Sequence, residues 1–281
     1  MARTVPALAR HKRRDGADPL VMVTAYDAPG AAMASEAGVD LILVGDTLAM
    51  VVLGHEDTLS VTVDEMAHHV AAVARARPEP LVIGDLPWMS YHTTTEAAVH
   101  NAATLVRAGA SAVKLEGGRK RLGVIGAILD AEIPVMGHIG LTPQSSNVMG
   151  GFRVQGRELD AIDALIADAE ALADAGVFSI VLEGIPDRVA DLVTEAVDVP
   201  TIGIGAGAGC DGQVLVWHDV LGIEQRLAPK FVRRYADVRS VAVGALQEYA
   251  ADVRAGRFPA DAETYHLAPE VASELDRRRG T

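Results

Sequence analysis

The stretch LILVGDTLAM, residues 41–50, reads as a buried strand that stops at Gly45 and delivers a carboxylate, Asp46. Four successive aliphatic side chains with no polar residue between them fit a strand covered on both faces. The phrase returns as LVIGDLP (81–87), AVKLEGG (112–118) and SIVLEGI (179–185), which set Asp85, Glu116 and Glu183 at corresponding points. Gly45 is expected to let the chain turn where its strand ends.

Outward from that stretch, runs rich in Val, Ile and Leu predict eight strands, at about 20–25, 41–45, 81–85, 111–116, 134–138, 178–183, 200–204 and 213–217. Helical spacing of apolar residues predicts helices over 28–38, 62–77, 94–110, 120–132, 158–176 and 186–197, and a closing helix over 236–256. Strands buried on both faces and separated by helices make a parallel sheet, because parallel neighbours need crossover connections. A doubly wound open sheet satisfies the same alternation, and the count of eight favours a single (βα)8 TIM barrel of the α/β class. The glycine-rich GIGAGAGCDG (203–212) is not read as a dinucleotide loop. It precedes the strand-like QVLVWH, where that fingerprint opens a helix.

Composition narrows the partners. The 281 residues are 49% hydrophobic, enough for a large core. With 25 basic against 38 acidic residues the formal charge is −13, which argues against nucleic acid or an anionic membrane and for a small ligand. A single cysteine, Cys210, allows no intrachain disulfide and no cysteine-based zinc cluster, in keeping with a reducing, cytoplasmic setting. The opening MARTVPALARHKRRDGADP is basic but lacks the apolar region of a secretory signal. No uncharged run approaches the ~20 residues of a membrane span.

At the carboxyl ends of parallel strands, Asp46, Asp85, Glu116 and Glu183 converge on one mouth. Crowded, desolvated carboxylates need a cation or protons. Oxygen donors without a thiolate suit a hard ion, Mg2+ first. The plainer alternative is that such acids cap the following helices or turn the chain. Lys114, two residues before Glu116 and so on the same strand face, can balance an acidic substrate or pair with one of these acids. His138, closing the fifth strand, can bond a substrate oxygen or move a proton. Thr47 offers a hydroxyl and an N–H to an anion.

Taken in order, TAYD (24–27), LVGDTLAMVVLGHEDTLSVTVDEM (43–66), DLPWMSY (85–91), NAATLVRAGASAVKLEGG (101–118), GHIGLTPQS (137–145), GGFRVQGR (150–157) and IGIGAGAGCDGQVLVWHD (202–219) resemble the ketopantoate hydroxymethyltransferase family. The resemblance implies a (βα)8 barrel. It implies that Asp46, Asp85 and Glu116 serve a Mg2+ site, that Asp46, Thr47, Asp85 and Lys114 contact the keto acid, and that Glu183 is the catalytic proton acceptor. His138 joins the substrate-binding candidates. The implied reaction moves a hydroxymethyl group from 5,10-methylenetetrahydrofolate to 3-methyl-2-oxobutanoate (α-ketoisovalerate) through a Mg2+-stabilised enolate, giving ketopantoate for coenzyme A synthesis. A homo-oligomer, commonly a decamer, is implied as well. Thr47 stands where the family usually has Ser, which keeps the hydroxyl. Residues 1–266 are expected to form the barrel domain, with an N-terminal helical segment and a closing C-terminal helix, and 267–281 a polar tail.

Overall fold

In the computed structural model, which describes residues 4–225 and 229–280, all eight expected strands are present. They are β1 (Leu20–Thr24), β2 (Leu41–Val44), β3 (Leu81–Asp85), β4 (Ala112–Lys114), β5 (Val135–Gly140), β6 (Ser179–Glu183), β7 (Thr201–Ile204) and β8 (Gly212–Leu215). They pair in parallel in sequence order, and β8 returns to β1, so the sheet is a closed barrel and not an open doubly wound one.

Seven of the longer helices follow the predicted order: α1 (Ala28–Glu36), α2 (Val63–Arg75), α3 (Thr95–Ala108), α4 (Leu122–Asp130), α5 (Leu159–Asp174), α6 (Asp187–Ala196) and α7 (Val238–Arg254); an eighth, α8 (Pro269–Arg279), was not expected. Side-chain caps start several of them. Asp27 accepts from Gly30 N–H at α1, Thr94 from Ala97 N–H at α3, and Thr62 and Glu65 form a reciprocal capping box at α2.

Period-two alternation sorts the strand residues into two cores. Outward-facing Ile42, Val44, Val82, Val113, Val135, Ile180 and Leu182 pack under the helices. Inward-facing Leu41, Leu43, Leu81, Ile83, Ala112, Met136, Val181 and Ile202 fill the barrel. Followed toward the carboxyl ends, the inward files change character: Ile83 gives way to Asp85, Ala112 to Lys114, Met136 to His138 and Val181 to Glu183. The polar top layer thus continues the apolar core by the same two-residue step.

The amino-terminal segment closes the other end. Leu8 packs into the interior cluster. Lys12 Nζ is buried 2.6 Å from Asp211 Oδ2 and also donates to the Thr194 and Val199 carbonyls. Asp211 in turn accepts from the N–H groups of Arg13 and Thr201. The basic opening of the sequence is therefore internal scaffolding.

Only residues 205–211 join β7 to β8, with no helix between them. The glycines permit this, because the segment returns directly over α6. A Cβ on Gly207, whose φ is +78°, would lie 2.5 Å from the Asp187 Cβ. Cys210 is buried in this segment at the amino-terminal end of the barrel, away from the acids.

The helix expected to close the barrel forms but buries no residue against it. Val21, on the outer face of β1, is left 50% exposed. Beyond it, residues expected as a polar tail include the exposed helix α8. Among the described residues no helix is long and apolar enough to cross a membrane.

Candidate active site

At the carboxyl ends of the strands lies a cavity of about 460 Å3, counted with its open mouth. Its wall includes Asp46, Thr47, Asp85, Lys114, Glu116, His138 and Glu183, so every residue singled out from the sequence comes to one place.

Strand register explains the closest contact. Asp85 and Lys114 are direct partners across β3 and β4, and Lys114 Nζ stands 2.8 Å from Asp85 Oδ1. Glu116, one alternation further on, has Oε1 4.0 Å from the same ammonium and 3.5 Å from His138 Nδ1. The other ring nitrogen of His138 lies 3.3 Å from Glu183 Oε2. Asp46, just past β2, donates its N–H to Asp85 Oδ2. Thr47 Oγ1 shares a 2.9 Å hydrogen bond with the Tyr26 hydroxyl.

The chain turns at Gly45 as expected, its carbonyl accepting from the Leu48 N–H at 3.0 Å. The turn does not require a left-handed φ; a Cβ there would crowd Thr47 Oγ1 at 3.1 Å, so the glycine also leaves room at the cavity wall.

Burial sets the charges apart. Desolvation, then the neighbouring Asp85 and Glu116, hold Asp46 well above the usual carboxylate range. Desolvation also raises Asp85, against the pull of Lys114. Glu116 is lowered: burial opposes ionisation, but the His138 hydrogen bond and the charges of His138 and Lys114 outweigh it. Burial and Lys114 push His138 down, yet the neighbouring Glu116 and Glu183 carboxylates lift it to about 9, which favours the protonated ring. Burial likewise opposes the Lys114 charge, and the three acids around it more than compensate. Among the four acids Glu183 alone keeps an appreciable exposed side chain, 16%, which leaves it reachable from the cavity.

Two residues of the site carried no signal in the sequence reading. Gln144, in the turn Pro143–Ser145 after β5, donates Nε2 to Asp46 Oδ2 at 2.9 Å and its backbone N–H to Glu116 Oε2 at 3.0 Å. Tyr91 donates its hydroxyl to Gln144 Oε1 at 2.6 Å. Both are neutral loop residues outside any periodic pattern. Only their place inside the quoted segments DLPWMSY and GHIGLTPQS marked them.

Among the described residues no three or more His, Cys, Asp or Glu side chains form a ready-made metal cage. Mg2+ does not need one, since it keeps waters and takes one or two carboxylates together with substrate oxygens. The donors fit that mode. Asp46 and Asp85 each commit Oδ2 to a protein N–H, while Asp85 Oδ1, buried and without an aligned hydrogen bond, is balanced by the Lys114 ammonium 2.8 Å away.

The family model described as ketopantoate hydroxymethyltransferase matches residues 2–261. The chain belongs to that family. The ketopantoate hydroxymethyltransferase relatives agree over nearly their whole length. The 3-methyl-2-oxobutanoate hydroxymethyltransferase of Syntrophomonas wolfei is 51% identical, with 98% of this chain and 100% of that protein covered. The enzyme of the same name from Aeropyrum pernix is 53% identical, with 89% and 91% covered. The chain is thus an enzyme, a hydroxymethyltransferase of this family.

Solved structures similar in fold include a phosphonopyruvate hydrolase in complex with oxalate and Mg2+ (TM-score 0.60, 15% identity, 99% of this chain and 97% of that one). Another is 2,3-dimethylmalate lyase, a member of the PEP mutase/isocitrate lyase superfamily (TM-score 0.58, 17% identity, 100% and 98%). At that identity the likeness concerns the barrel alone. Ketopantoate hydroxymethyltransferase relatives match the sequence as well.

Proposed function

We propose that this enzyme transfers a hydroxymethyl group from 5,10-methylenetetrahydrofolate to 3-methyl-2-oxobutanoate, giving 2-dehydropantoate for pantothenate and coenzyme A synthesis in the cytoplasm. The observation that carries this reading is the opposition of Glu183, reachable and at the rim of β6, to a buried carboxylate cluster with its lysine.

Asp46 and Asp85, with Glu116 alongside, would hold Mg2+, which would supply positive charge for the keto oxygen as C3 loses its proton. Lys114 and Thr47 bind the substrate carboxylate. Tyr26 holds the Thr47 hydroxyl in place through their shared hydrogen bond. Glu183 takes the C3 proton. His138, cationic and 3.3 Å from Glu183 Oε2, fixes that carboxylate and leaves its other oxygen for the proton. Water releases the one-carbon unit from the folate at the formaldehyde level, breaking its two C–N bonds and leaving tetrahydrofolate; C3 then bonds to that carbon, and its oxygen takes the proton back from Glu183.

Glu183→Gln keeps the shape and the hydrogen-bonding reach but cannot accept the proton. It is expected to bind keto acid while losing at least about 100-fold in kcat, the lower range for a positioned base. Near-normal turnover in Glu183→Gln removes Glu183 as the base.

A homo-oligomer, a decamer on the family pattern, belongs to the same proposal. Its support is the stripe Val238, Val241, Leu246, Tyr249 and Val253 on α7, exposed in the single chain beside an outer barrel face that is also bare.

A further inference from the structure

Residue 144 touches two carboxylates of the buried cluster, Glu116 and Asp46. Its backbone N–H donates to Glu116 Oε2 and its side-chain Nε2 donates to Asp46 Oδ2. The amide can take only one orientation. Nε2 also faces the Leu86 carbonyl at 3.0 Å, which can only accept. On the other side the Tyr91 hydroxyl accepts the Glu116 N–H at 3.2 Å and directs its single proton to Gln144 Oε1 at 2.6 Å. A flipped amide would set its carbonyl against Leu86 and Asp46 and its NH2 against the tyrosine proton. All of this happens out of water: Tyr91 is 1% and Gln144 5% exposed.

The consequence falls on Asp46 and Glu116. Gln144 Nε2 holds Asp46 Oδ2 and the Gln144 N–H holds Glu116 Oε2, so the direction of each carboxylate is set by the same residue. We propose that Gln144, locked by Tyr91, is a positioning residue that aims Asp46 and Glu116 at a bound divalent cation. The inference rests on the metal reading above and names the pair of neutral residues that makes the cluster competent.

Outer partners of metal ligands typically change metal affinity by about 10–100-fold when lost. Mn2+, which shares the preference of Mg2+ for oxygen donors, is a direct probe. Free Mn2+ is titrated by electron paramagnetic resonance, in saturating 3-methyl-2-oxobutanoate, into wild type, Gln144→Met, Tyr91→Phe and the double variant. Thermal melts establish that each is folded. Gln144→Met is expected to weaken Mn2+ binding by about 10–100-fold. Tyr91→Phe is expected to weaken it in the same direction, and the double variant to be no weaker than Gln144→Met, because the tyrosine acts largely through the glutamine.

Unchanged Mn2+ affinity in folded Gln144→Met overturns the inference while leaving the metal site standing. If Gln144→Met does not fold, unchanged affinity in Tyr91→Phe does the same. Wild type that binds no Mn2+ overturns the metal reading and this inference together.

Discussion

Lys114 is one cation among three buried acids, and its register partner is Asp85. Removing one side of such a buried pair typically costs about 3–5 kcal/mol, because the charge left behind has no water. Lys114→Met should therefore lower the melting temperature as well as weaken keto acid binding. Asp85→Asn keeps the shape but removes a metal-facing charge, and it should shift the Mg2+ dependence of turnover to higher concentration. An unchanged Mg2+ titration in Asp85→Asn would remove that residue from the metal site. These acids were legible because strand alternation repeats: the step that buries Ile83 also aims Asp85. Gln144 and Tyr91 were not, because a neutral polar residue in an irregular loop leaves neither a charge nor a period to follow. Gly45 was legible in part. A glycine at a strand end suggests the turn that forms there, and only the neighbouring Thr47 hydroxyl shows that it also keeps space open.

Among the elements, the helix starts depend on short-range chemistry that the sequence states directly. At α2 the capping box has Thr62 accepting from the Glu65 N–H and Glu65 accepting from the Thr62 N–H. Thr62→Ala should cost about 1 kcal/mol, read as a lower denaturation midpoint. The hydrogen bonds from the Thr62 backbone and side chain hold the Glu65 carboxyl below its usual value. Its folded form thus favours the ionised state. The stabilisation is complete above the unfolded carboxyl value near 4.5 and is lost as pH falls through the lower folded value. The difference in stability between wild type and Glu65→Gln should shrink on acidification across that window; a difference that grows would contradict the bond. The helix-free connection from β7 to β8 was legible, because the glycine-rich run leads straight into a strand-like segment. Its neighbour was not: a glycine-rich run signals close approach without naming the partner, and here the partner is α6.

For the whole molecule, the eight-strand count carried the fold because each strand announces itself by an unbroken apolar run. The position of α7 could not be read that way. Its apolar stripe predicts a partner surface, and in the single chain that surface stays in solvent, with Leu246 66% exposed. Leu246→Asp should dissociate the proposed oligomer toward the 29.5 kDa chain in sedimentation, whereas an assembly of unchanged mass would place the interface elsewhere. The central claim is the reaction itself, and one measurement tests it most directly. Proton NMR of α-ketoisovalerate in D2O with the protein follows C3 exchange and product, with and without Mg2+ and with and without 5,10-methylenetetrahydrofolate. The account predicts ketopantoate only when protein, Mg2+ and the folate are together, and C3 exchange that requires Glu183. Folded, Mg2+-loaded protein that gives neither exchange nor product would contradict it.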